Sequence, residues 1–152
     1  MTAKHQPPGP AASPSEALRL VAVSLDALFA LVSGIVVGTA SAVAQAGHDV
    51  AQLQPASAAF WGVALGTALA VSFANHVVLT TVTRASLGKA VAGLRVVRSS
   101  DGGRARFIRL LGRWLFGYYW LIVFVPLHLA TDSDVEQQDA VGLCTVRRTV
   151  RA

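Results

Sequence analysis

"RLVAVSLDALFALVSGIVVG", Arg19 to Gly38, is the stretch on which the fold turns. It carries a charge at its start, Arg19, and one well inside, Asp26. The apolar run around it, Leu18 to Ala46, exceeds the roughly 20 residues that a helix needs to cross the hydrocarbon core, so a first membrane span is predicted over about 18–46. A cleaved signal peptide is the rival reading, because Ala40, Ala42, Ala44 and Ala46 offer A-x-A sites. Against it stand the length of the run, the long Pro-rich segment before it and the aspartate inside it.

An ionised side chain at the centre of a spanning helix costs about 2.5 to 3.5 kcal/mol, so Asp26 is expected to face protein or water. At the helical angle per residue its stripe also holds Arg19, Ala22, Ala30, Ser33, Val37, Ala40 and Ala44. These are mostly small residues, which let a second helix approach closely in lipid.

The rest of the chain agrees with a membrane setting. Of 152 residues, 53% are hydrophobic and 14% charged, against roughly 25% charged in a soluble domain. The length suits one small domain. Cys144 is the single cysteine, which excludes an intramolecular disulfide and a cysteine-rich zinc site. H-E-x-x-H, G-x-S-x-G, G-x-G-x-x-G and the P-loop are all absent, so neither an enzyme, a cofactor nor a bound metal is expected.

Residues 1–16, with Pro7, Pro8, Pro10 and Pro14, read as a disordered tail. Residues 17–148 read as the membrane domain, with 149–152 a short tail. A second span is predicted over about 57–82, and a third apolar segment over about 110–130, whose core Trp114 to Ala130 is short and interrupted by Pro126. Between the second and third lie Arg84, Lys89, Arg95, Arg98, Arg104, Arg106, Arg109 and Arg113, opposed by Asp101. The positive-inside rule makes that loop and the N-terminus cytoplasmic in a multi-pass protein of the plasma membrane. A full third crossing would place Arg147, Arg148 and Arg151 outside, so the same rule favours a re-entrant or broken segment that returns the tail to the cytoplasm.

Two glycine motifs, Gly34 with Gly38 and Gly62 with Gly66, are expected to meet in the hairpin of the first two spans. That hairpin sets His76 at the depth of Asp26 with Asn75 turned away, so an Asp26–His76 pair is expected. The plainer alternative is that His76 only bonds a backbone or hydroxyl group. Arg106, Arg109 and Arg113 share one side of an amphipathic stretch that can lie among anionic lipid headgroups, at about 1 kcal/mol per basic residue. Loop charge accounts for these arginines without nucleic acid. Leu94 to Val97 is β-prone and is followed by a turn signal at Asp101, Gly102 and Gly103, which suggests a small hairpin. Leu143 to Val150 is a second β-prone run that could pair with it. The fold class is thus an all-α membrane protein of two transmembrane helices and a third apolar segment, span or re-entrant, with a small cytoplasmic β-prone loop and tail.

Taken together, these residues resemble the RDD family of bacterial membrane proteins, named for one arginine and two aspartates. Arg19 and Asp26 match the first two in place and spacing. Gly88-Lys89, Gly93-Leu94-Arg95-Val96-Val97 and Asp101-Gly102 resemble the family's cytoplasmic motifs, and Arg113 the arginine before the last apolar segment. Asp139, with Gly142, Thr145 and Val146 after it, resembles the closing aspartate and strand, although Gln138 stands where the family usually has histidine. The resemblance implies transport of a small ligand, with cation/proton exchange suggested for some members, and makes Asp26, Arg19, His76 and Asp139 the ligand- or proton-binding candidates. So few spans can hardly enclose a pathway, so a homo-oligomer or another membrane protein is the expected partner. The alternative is an adaptor or assembly factor in which Arg19, Asp26 and Asp139 only fix helix packing.

Overall fold

A computed structural model describes residues 14–47, 57–119, 122 and 140–147. The first expected span is α1, Glu16–Gln45, a continuous helix. The second begins where the Ser57 hydroxyl accepts the Phe60 N–H and runs as α2, Ala58–Phe73, a π-helical turn, Ala74–Leu79, and α3, Thr80–Thr83. Arg84 stops it by entering the left-handed region at φ 63°. Both helices are long and apolar enough to cross a membrane. Much of their apolar surface is exposed, as at Leu20, Leu31 and Leu65, an arrangement that suits lipid rather than water.

The buried residues of α1, Ala22, Asp26, Gly34 and Gly38, lie on a row of four-residue steps, Gly34 and Gly38 against α2 and Ala22 against Gly88. The expected stripe drifts off this row, and Val37 is exposed. An i, i+4 ridge inclines to the helix axis, and the partner helix follows the ridge rather than the axis. The two glycine motifs do not meet. Gly34 and Gly38 lie against Ala64, Ala68 and Phe60, whereas Gly62 and Gly66 have nothing near the position of a Cβ. A methyl at Gly34 would collide with the Ala64 carbonyl oxygen, which belongs to rigid helix backbone. Gly34→Ala should therefore cost about 1 to 3 kcal/mol, and Gly62→Ala less than about 0.5. Unfolding of both variants in detergent micelles, followed by circular dichroism, measures the difference.

After Arg84 the chain forms α4, Leu87–Val91, and β1, Leu94–Arg98, linked through Gly93 at φ +68°, a conformation that favours glycine. Asp101 then closes the expected turn: its carboxylate accepts the Gly103 N–H at 3.0 Å and pairs with Arg98 at 2.7 Å. These two contacts hold the Asp101 carboxyl below its ordinary range, the Gly103 N–H most of all. The turn does not close a regular hairpin, since the returning chain makes a single bridge, Val97 to Arg104. The main partner of β1 is β2, Leu143–Arg147, antiparallel, with Leu94 opposite Arg147 and Arg98 opposite Leu143. The end of the described chain therefore lies beside the basic loop.

From Arg104, whose guanidinium donates to the Val82 carbonyl at 2.8 Å, α5, Phe107–Tyr119, runs back along α2. Trp114 Nε1 and the Tyr118 hydroxyl both donate to Ser72 Oγ, and Trp114 meets Phe73 edge to face. Val77, Val96, Ala105, Leu110 and Leu143 form the core between α5, the π turn and the sheet. The amphipathic face of α5 is thus divided: Leu110, Leu111 and Trp114 go to this core, while Ile108 and Leu115 remain exposed. Most of the third apolar segment, 120–130, lies outside the described residues apart from Ile122.

Candidate functional site

Asp26 sits in the first half of α1, facing the second span and α4, and is 3% exposed. Its Oδ1 accepts the Asn75 amide N–H at 2.6 Å and the Gly88 backbone N–H at 2.7 Å. Its Oδ2 accepts the Ser86 hydroxyl at 2.5 Å. Asn75 completes the ring, because its Oδ1 accepts the Leu87 N–H at 2.8 Å while Thr80 Oγ1 donates to its backbone carbonyl. One carboxylate therefore fastens three pieces of chain: α1, the π turn of the second span, and the segment 86–88 that opens α4.

The local sequence explains each contact. Ser86 precedes α4 in the N-cap position, yet its hydroxyl makes no cap bond and turns to Asp26 instead. Gly88 packs so closely on α1 that a Cβ there would collide with the Ala22 carbonyl oxygen and lie 3.0 Å from Asp26 Cγ. The two groups on Oδ1 are N–H donors with no acceptor to offer, so that oxygen can only accept. Oδ2 faces a hydroxyl, which can reverse.

The expected Asp26–His76 pair is replaced by Asp26–Asn75. The error lies in phase. His76 lies nearer the face of Gly62, but the face that meets α1 is that of Ala64 and Ala68. At the helical angle per residue, Asn75 lies within about 20° of Ala64, whereas Ser72 turns to Trp114 and Tyr118 of α5. A row of Ala64, Ala68 and Asn75 was legible in the sequence as small and polar residues on one side. His76 is half-buried, close enough to Asp26, Lys89 and Arg113 to feel their charges.

Arg19 lies two turns before Asp26; its Nε is buried without a hydrogen-bond partner among the described residues. Arg113 reaches the other way, donating to the Leu143 carbonyl and to Thr145 Oγ1, both at 3.3 Å, which staples α5 to β2. Gly93, Asp101 and Gly102 shape the turns around β1 rather than the centre itself. Lys89 stands beside the centre, one residue beyond the Gly88 bond. Asp139 lies outside the described residues. Among the described residues no group of three or more His, Cys, Asp or Glu could hold a metal ion.

A family model described as the RDD family matches residues 14–131. No curated protein and no solved structure matches the chain.

Proposed function

The chain belongs to the RDD family, and from that premise we propose that it is a multi-pass plasma-membrane protein that moves a small ligand, exchanging cations for protons, as part of an oligomer. The observation that carries this reading is the buried polar centre of Asp26, Asn75 and Ser86, with His76 and Lys89 beside it, in an otherwise apolar pair of helices. Ionisable groups at such depth are costly and mark pathways for ions or protons. The basic loop supports a cytoplasmic N-terminus. The pairing of β2 with β1 supports a tail on that same side, hence a third segment that returns. Two described spans offer no enclosed route, so further copies or another membrane subunit supply the remaining walls. The exposed basic side chains Arg104 and Arg106 suit anionic headgroups at the inner surface.

A second reading has its own observation. Both Asp26 oxygens are occupied by protein donors, which suits a fastener of helices in a membrane adaptor without transport. The test is collapse of an imposed pH gradient in proteoliposomes on addition of sodium, potassium or lithium. Cation-dependent collapse that empty liposomes lack is the expected result. No collapse with any of these ions favours the adaptor.

A further inference from the structure

By its charge, the segment after the second span reads as part of a water-exposed basic loop, yet the structure folds its first turns back along the spans. The chain turns at Arg84, where α3 ends. The Leu87 N–H then donates to Asn75 Oδ1, which belongs to the second span nine residues before Arg84. The Gly88 N–H donates to Asp26, and Gly88 rests against Ala22. Ala22 and Asp26 lie about 5 and 10 Å beyond Arg19 along α1, toward the middle of the span. The seat of α4 is therefore on the membrane side of the level marked by Arg19 and Arg84.

Two features of α4 suit lipid and not water. Its faces are inverted: Leu87 and Val91, one turn apart, are 42% and 75% exposed, while Lys89 on the opposite face is half-buried. A short helix in a water-exposed loop would present the lysine and cover the leucine and valine. The second feature is the backbone. The first N–H groups of a helix have no partner within it, and in lipid no water is there to accept them. Here the first two, of Leu87 and Gly88, are taken by side chains of the two spans.

We infer that α4 is embedded in the membrane, with its Leu87–Val91 face among the acyl chains of the leaflet at the Arg19 end. Continuity identifies the occupant. Leu20, Val21 and Val23 of α1 and Val78 and Val82 of the second span, at this same end, are exposed too, so α4 extends an apolar surface that already suits lipid. Five residues are too few to hold a helix by themselves, and the Gly88 seat with its Asp26 bond anchors α4 at this depth. The inference rests on the two spans crossing a membrane and is independent of transport.

The experiment attaches a nitroxide label to single cysteines of the full chain in lipid nanodiscs. It compares collisions with oxygen, which concentrates among acyl chains, and with a water-soluble nickel chelate. Leu87→Cys and Val91→Cys report on α4. Leu31→Cys, exposed on α1, is the lipid reference, and Ser100→Cys, exposed in the turn after β1, is the water reference, each made with Cys144→Ser. Both α4 side chains point outward, so the labels leave the Gly88 seat in place. The Leu87→Cys and Val91→Cys labels should favour oxygen over the chelate several-fold, as Leu31→Cys does, and Ser100→Cys should show the reverse. Labels on α4 that favour the chelate mean a water-exposed loop and overturn the inference. Labels shielded from both reagents mean that a second copy or another protein covers the face, which overturns it equally. A Leu31→Cys label that favours the chelate removes the membrane reading of the spans, and the inference with it.

Discussion

Asp26→Leu should destabilise the folded protein by several kcal/mol, and Asp26→Asn by only about 1 kcal/mol. Leucine leaves the Asn75 amide, the Ser86 hydroxyl and the Gly88 N–H buried without their acceptor, and each such loss costs about 1 to 3 kcal/mol. That sum is a large share of the roughly 5 to 15 kcal/mol by which proteins are stable. Asparagine keeps an amide oxygen for the two N–H donors on Oδ1 and offers its own N–H to Ser86, whose hydroxyl can accept. What it loses is the added strength of a charged acceptor. Unfolding of both variants in detergent micelles, followed by circular dichroism, decides the matter. Equal loss in the two would mean that the charge, rather than the geometry of the acceptor, holds the centre.

Gly88→Ala is expected to rank with it, at about 3 to 5 kcal/mol. The added methyl is directed at the Ala22 carbonyl and lies 3.0 Å from Asp26 Cγ. Neither neighbour is the free end of a flexible side chain, so α4 must move away from α1. That movement adds the loss of the Gly88–Asp26 bond to the overpacking cost of about 1 to 3 kcal/mol. Gly93→Ala is the informative comparison. Gly93 has open space around it and a φ of +68°, so its substitution costs only the local backbone strain, about 1 to 2 kcal/mol. The same detergent unfolding assay separates them, and a Gly88→Ala variant as stable as the wild type would show that α4 is not seated on α1 as described.

These two glycines show where reading along the chain stopped. Both sit in motifs matched by family resemblance, and nothing in the sequence distinguishes a glycine needed for space from one needed for its dihedral angle. The distinction depends on Ala22, more than sixty residues earlier in the chain. The partner of Asp26 was missed for a related reason. Helical phase is reliable within one helix, but the face that meets another helix must be chosen, and the glycine motif on α2 was the wrong choice because Ala64 and Ala68 already admit α1.

Local physical chemistry, which acts over one or two helical turns, was legible in the sequence. The excess of apolar residues required membrane helices, the aspartate among them required a protein-facing side, and the β-prone runs at 94–97 and 143–150 found each other as β1 and β2. The tertiary structure alone decided which donors meet that aspartate: Asn75, Ser86 and Gly88 come from 49, 60 and 62 residues away. A hydrogen bond requires its two atoms to lie within about 3 Å. Such a distance is set by how three chain segments pack together, not by the residues of any one of them.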